Sequence, residues 1–355
     1  MYEIKKEPKD FLVEEITPDK DVLEKGKKYK LQKSSGDQLV CVLEKENWDT
    51  NLVIRGIAKR LYVSQKRVGF AGTKDKRAIT TQRISLWKIK ENVADLRMHG
   101  VSIKPLYYSD KRVELGDLWG NRFTIKIYTD KKLGRIPKKI PNLFGEQRFG
   151  AGRKITHLVG KEILKEDLET AVKMYLGQSS SKESPETREA RERLAKDWDF
   201  KEALEYFPNN LRFERSLLGH LSQYPNDYVG ALRKLPKFLK IMFVHAYQAH
   251  LFNMFVKECI KKKRKFKTGP LYGFESKMEN QLERNILKKE KTKLSDFHVR
   301  SMPEMSSKGS RRPVYVGLKD FKILKKTKSY YTIRFSLPKG CYATTVIDYL
   351  FGNNG

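Results

Sequence analysis

Asp75 stands among three cations in the stretch Val68-Gly69-Phe70-Ala71-Gly72-Thr73-Lys74-Asp75-Lys76-Arg77-Ala78-Ile79. Neighbouring positive charge favours the ionised form of a carboxylate, and loops between strands are where functional groups are often placed. An ionised, positioned carboxylate is a candidate nucleophile or proton acceptor. Read in isolation, the same loop is a basic surface turn with a solvated acid.

Other chemistries find less support. Among His99, His157, His220, His245, His250 and His298, only His245 and His250 are close. Their spacing of five is off a common helical face, unlike an i,i+4 zinc pair, so no metal site is expected. Gly69 to Lys74 lacks the glycine spacing and the GK[ST] ending of a phosphate loop, which argues against NTP hydrolysis. No serine elbow or cysteine–histidine nucleophile pattern stands out. The basic run Lys261 to Lys267 reads as a solvated helix end, or as a phosphate attractor that adds affinity and salt dependence without sequence information.

The elements that would position Asp75 follow from periodicity. Alternation after Pro8 predicts a strand to Ile16, and Gln38 to Glu44 predicts another. Thr50 resembles an N-cap, and Leu52, Val53, Ile57, Ala58 and Leu61 recur at helical spacing, which predicts a helix over 51–61. A helix near Glu91 to His99 and strands at Val101 to Tyr108 and Arg122 to Tyr128 come next. Pro137 to Gly152 reads as a structured loop, since two aromatics and an Arg are unusual in a linker. Helical character then takes over: Gly160 to Leu176 as one helix, a Ser184-Pro185 start to a charged helix reaching about Lys196, and a helix opening at Pro236. In that last helix Val244, Tyr247, Leu251, Phe252 and Phe255 form an apolar face. Strand character returns at Val314 to Leu318 and Tyr330 to Phe335. The expected fold class is α+β, with a mixed, largely antiparallel sheet and a helical domain inserted into a sheet domain built from both ends of the chain.

A chain of 355 residues has two domains as its natural prior. Its formal net charge of +31 would strain a compact protein by self-repulsion and points to a polyanionic partner. With 17 Tyr, 18 Phe and 4 Trp, the rings that RNA recognition stacks on are available, so RNA ranks ahead of membrane. No segment approaches the roughly 18 apolar residues of a span, and no signal peptide opens the sequence. Cys41, Cys259 and Cys341 fit free thiols in a reducing compartment, so a cytoplasmic location is expected.

As a constellation, the stretch AGTKDKRAITTQ resembles the nucleophile loop of the TruD family of tRNA pseudouridine synthases. Lys5 to Glu15 is similar to that family's K-x-x-P-x-D-F segment and Gly120-Asn121-Arg122-Phe123 to its G-N-x-F strand start. Asn142 to Gly150 is similar to its N-x-F-G-x-Q-R-F-G loop, and Leu337 to Thr345 to its closing L-P-x-G-x-[YF]-A-T motif. The resemblance implies a catalytic domain over 1–152 and 313–355 and an inserted, helix-rich TRUD domain over 153–312. It implies Asp75 as the catalytic aspartate, Lys5 as its basic partner, Phe144 as the aromatic that stacks on the target uracil, and Asn142 as the polar residue beside it. It further implies isomerisation of a uridine in tRNA, chiefly at position 13 of the D-arm, with no cofactor or metal. A site contained in one chain is compatible with a monomer.

These residue types suit that reaction. Forming pseudouridine breaks N1–C1′, rotates the uracil and joins C5 to C1′, so atoms balance without a cofactor. A carboxylate can attack the ring or C1′, or take a sugar proton, and leave again. The target nucleotide must be flipped out to be reached. An RNA-binding or chaperone protein without catalysis would explain the charge and the aromatics, but not the shared identities of Lys5, Asp75, Asn142 and Phe144. A metal-dependent nuclease would want acids clustered near the lysines, and Asp75 has none beside it in sequence.

Overall fold

The computed structural model describes residues 2–89, 93–134, 136–150 and 152–352. In chain order the first elements are β1 (Glu3–Ile4), β2 (Phe11–Ile16), β3 (Gln38–Glu46), α1 (Thr50–Arg60), β4 (Val68–Phe70), β5 (Ile79–Trp87), β6 (Val101–Ser109), β7 (Gly120–Tyr128) and β8 (Lys139–Pro141). Next come α2 (Thr156–Leu164), α3 (Leu168–Gly177), α4 (Pro185–Asp197), α5 (Phe200–Tyr206), α6 (Arg212–Gln223), α7 (Tyr228–Arg233), α8 (Lys237–Lys261), β9 (Thr268–Leu271), α9 (Gln281–Glu290) and β10 (Ser310–Pro313). The chain closes with β11 (Tyr315–Gly317), β12 (Lys319–Lys326), β13 (Tyr330–Pro338) and α10 (Ala343–Phe351). It divides into two compact units, Met1–Ile140 with Val316–Gly355, and Pro141–Tyr315.

In the first unit the strands order as β12-β13-β7-β2-β5-β3-β6, with β1 added to β7 and β4 to β5. The β2–β5 pair is parallel, while the β2–β7, β7–β13, β12–β13, β3–β5 and β3–β6 pairs are antiparallel. This is the mixed, largely antiparallel sheet of an α+β fold. Residues paired across strands share a face, so Phe123, Ile125, Ile333 and Phe335 form one apolar patch, covered by Val346 and Ile347 of α10. On the same face Leu39, Cys41, Leu43, Ile84 and Leu86 form a second, covered by Val53, Ile54 and Ile57 of α1. Between the two patches the central strands carry polar side chains instead: Glu15, Lys45, Thr80 and Gln82 are all fully buried. A polar seam splits the apolar face.

Three local expectations change. The N-cap of α1 is Asp49, whose carboxylate accepts from Asn51 N and Leu52 N, and Thr50 lies inside the helix. Where a helix was expected from Glu91 to His99, Glu91 and Asn92 lie outside the described residues, and the rest forms one 3-10 turn, Val93–Asp95, with Met98 bridging to Val101. Gly160 to Leu176 is not one helix but α2 and α3. The break falls where Glu166 takes a left-handed φ of 59° and the Asp167 carboxylate caps α3 by accepting from Thr170 N.

The second unit is a helical assembly around α8. Val244, Tyr247, Leu251, Phe252 and Phe255 are buried in it as the periodicity predicts, together with Leu217, Leu218 and Leu221 of α6. Gly160 lets α2 cross α8 closely, because a Cβ there would sit 2.1 Å from Phe243 O. The Ser184 hydroxyl caps α4 by accepting from Thr187 N. The expected domain borders at 152/153 and 312/313 fall elsewhere than the division at 140/141 and 315/316. The 142–144 loop belongs with the helical unit because it is tied there: Asn142 N donates to Val314 O and Phe144 N to the Asn253 Oδ1 of α8.

Candidate active site

Asp75 lies between β4 and β5, at the end of the sheet where β2 and β5 begin. The loop is braced on both sides. Thr50, in the first turn of α1, accepts from Lys74 N at 3.0 Å, and Gln82 Nε2 donates to Gly72 O at 3.0 Å. Gly69 packs against its own protein, since a Cβ would sit 2.5 Å from Val113 O and 2.6 Å from Ser85 Oγ. Its role is therefore local packing rather than approach to a substrate, while a Cβ on Gly72 would meet nothing within 4 Å.

Lys5 reaches Asp75 from the N-terminal segment, Nζ donating to Oδ1 at 2.8 Å. Its backbone takes a left-handed φ of 58°, a conformation few non-glycine residues adopt, and its ammonium lies 4.0 Å from the Phe11 ring centroid. The lysine side chain is 16% exposed and that of Asp75 35%. One carboxylate oxygen is thus anchored, and the group stays open enough for a reactant to reach.

The cations beside Asp75 in sequence do something else. Lys74 turns into the polar seam and pairs with Glu15 at 2.9 Å, both side chains being buried. Arg77 donates to Lys6 O. The second cation at the loop is Lys45, from the inward row of β3, whose Nζ donates to Asp75 O at 2.9 Å and to Trp48 O at 2.8 Å. Burial pushes its ammonium down from the usual 10.5 to about 8, against the pull of Asp75 and Asp49. Sequence reasoning missed Lys45, although a signal was present. It follows Leu39, Cys41 and Leu43 at the alternate position of an apolar row, where a cation must be buried and held.

In the second unit Asn142 and Phe144 are organised by a residue that carried no sequence signal, Arg312 of β10. The Asn142 side chain is buried, its Oδ1 accepting from Arg312 Nη2 at 2.7 Å and its Nδ2 donating to Pro313 O at 3.0 Å. The guanidinium carbon lies 4.2 Å from the Phe144 centroid. Phe252 meets that ring edge-on at 5.6 Å and 85°, and Asn253 accepts from Phe144 N and donates to Phe144 O. Phe144 is half-buried and held by both ring and backbone. The fold therefore brings Lys5 to Asp75, and it brings Asn142 to Phe144 through Arg312.

The family model described as tRNA pseudouridine synthase D (TruD) matches residues 2–268 and 255–349. A Methanopyrus kandleri protein named probable tRNA pseudouridine synthase D is 38% identical in an alignment that covers 90% of this chain and 87% of that protein. One of the same name from Methanosarcina acetivorans is 37% identical in an alignment that covers 97% of this chain and 91% of that protein. A crystal structure from Methanosarcina mazei described as tRNA pseudouridine synthase D superposes with a TM-score of 0.76 at 33% identity, covering 98% of this chain and 92% of that one. With the family model spanning nearly the whole length and relatives 37–38% identical over at least 90% of it, the chain belongs to the tRNA pseudouridine synthase D (TruD) family.

Proposed function

We propose that this protein is a cytoplasmic, cofactor-independent monomer that isomerises a uridine of tRNA, at position 13 in the D-arm, to pseudouridine. The observation that carries the proposal is the Lys5–Asp75 ion pair in a chain of this family. Asp75 is the nucleophile. Attack on the uracil ring, attack on C1′ and removal of a sugar proton all start from its ionised carboxylate, which Lys5 orients and Lys45 supports from the loop backbone. The first unit is then the catalytic domain and the second the inserted TRUD domain.

The uridine is flipped from its stack and held on Phe144, a contact worth roughly 1–3 kcal/mol. Arg312 covers one face of that ring, so the base is assigned to the other. Asn142 works beside the base through the arginine it holds, because its amide is already engaged by Arg312 and Pro313. The test is incubation of 5-tritiated uridine tRNA with the protein in EDTA. Tritium released to water from intact RNA is the expected result. Binding without release would favour the non-catalytic RNA-binding reading, and strand cleavage a nuclease.

A further inference from the structure

The face of the first unit's sheet turned away from α1 and α10 is open and basic over β7, β13 and β12. Along β7 it presents Arg122, Thr124, Lys126 and Tyr128, and opposite the last three on β13 stand Arg334, Thr332 and Tyr330, with Ser336 buried opposite Arg122. At the Gly120 end a cavity of about 430 Å³ is lined by Lys20, Trp119, Arg122, Lys319, Lys322 and Arg334, with Asp320 as its one acid. Arg122 is held by Glu14 at 2.7 Å and Glu24 at 3.2 Å. Among the described residues, Lys20, Lys319, Lys322 and Arg334 have no carboxylate within ion-pair distance. Lys319 Nζ lies 4.8 Å from the Trp119 ring centroid. At the other end Tyr128 and Tyr330 stand 6.1 Å apart, with Lys126 at 4.6 and 4.4 Å from their centroids and Lys6 at 4.4 Å from that of Tyr128.

We infer that this face is a second RNA-binding surface, a track for a strand of the substrate that does not contain the reacting uridine. Cations interleaved with aromatic rings on an open sheet match the two things a single strand offers, phosphates and base faces. Nine residues of β7 span about 27 Å, enough for several nucleotides. The Trp119 cavity takes one stacked base and its phosphate at the far end. At the near end, Lys6 follows in sequence the lysine paired with Asp75. Lysines on β12 also guard an edge strand against pairing. That need does not explain Trp119, Arg122 and Arg334, which lie off the edge and line the same cavity.

The inference rests on the proposed tRNA substrate, and its test keeps the two apart. Unmodified tRNA transcript is titrated and turned over with wild type, Lys319→Glu/Lys322→Glu, Trp119→Ala and Trp119→Phe. For the double variant we expect KM to rise at least about tenfold with kcat within about twofold, and the slope of log Kd against log salt to fall by about 1.5, two phosphate contacts' worth. Trp119→Ala is expected to lose about tenfold in affinity and Trp119→Phe to recover most of it, which a merely structural tryptophan would not do. Should Trp119→Ala unfold at assay temperature, the exposed lysine pair decides alone. Wild-type tritium release with unchanged KM, Kd and salt slope in the variants overturns the surface and leaves the isomerase standing. Weakened binding in the variants with no wild-type release upholds the surface and overturns the isomerase.

Discussion

Lys45 shows how a single buried cation is both costly and useful. Its ammonium is fully buried and depressed to about 8, so it is charged below that pH and neutral above it. Between about 8 and 10.5 the unfolded chain holds the extra proton, so its burial penalty eases as pH rises, while positive charge beside Asp75 is lost. The expected kinetic consequence is an alkaline fall in kcat/KM with one ionisation near pH 8. Lys45→Met should lower activity and remove that limb from the pH–rate profile; a variant that keeps the wild-type limb would show that another group titrates. At Phe144 the expectation is sharper. Phe144→Ala should cut single-turnover rates by about 5- to 150-fold, as loss of roughly 1–3 kcal/mol of stacking requires, and wild-type rates would remove Phe144 from base holding. The pairing of Lys5 with Asp75 was foreseen from motif identity. Arg312 was not, because nothing in Arg311-Arg312-Pro313 distinguishes the residue that reaches Asn142 from its neighbour.

The elements around the loop were largely legible, and the exceptions have physical causes. A strand with one buried face declares itself by alternation, as β7 does, β3 by its continuous apolar run from Leu39 to Leu43, and α8 by its apolar face. The charged face of β12 conceals a strand, since most of its residues are exposed and Lys-rich. The α2–α3 break is set by Glu166 and Asp167 rather than by a glycine or proline, so periodicity ran through it. Lys74 was misassigned for a similar reason: proximity in sequence suggested Asp75, whereas the loop, held to Thr50 through Lys74 N, turns the side chain onto Glu15 of β2. That pair is buried on both sides, and removing the lysine leaves the buried Glu15 carboxylate with only Arg83, whose Nε lies 3.8 Å away. Lys74→Met should therefore destabilise the protein by about 3–5 kcal/mol in denaturant melts, with Glu15→Leu/Lys74→Met recovering much of the loss. A single variant as stable as wild type would mean that the seam is wetter than its geometry implies.

At the scale of the whole molecule, charge and histidines set the response to solution conditions. A net charge of +31 should make tRNA affinity fall steeply with salt, by at least about tenfold between 50 and 200 mM, and a flat response would remove phosphate contacts as its main source. In the helical unit His157 stacks on His250 at 4.7 Å, and burial with that neighbour holds His157 down to about 4. Burial also lowers His250, which faces the Lys161–Glu290 pair, and His245, which feels Arg148. Folding favours the neutral form of each, so each takes up protons more readily when unfolded. Stability should therefore fall as pH drops from about 6.5 towards 4, with a shallower fall in His157→Phe. An unchanged melting temperature across that window would contradict the burial of these rings. Catalysis itself is decided most directly by tritium release from 5-tritiated uridine tRNA, with wild type and Asp75→Asn measured side by side in EDTA at matched RNA occupancy. Release by wild type and none by Asp75→Asn, with tRNA affinity within a few fold, is the result this site predicts. Full release by Asp75→Asn would contradict it.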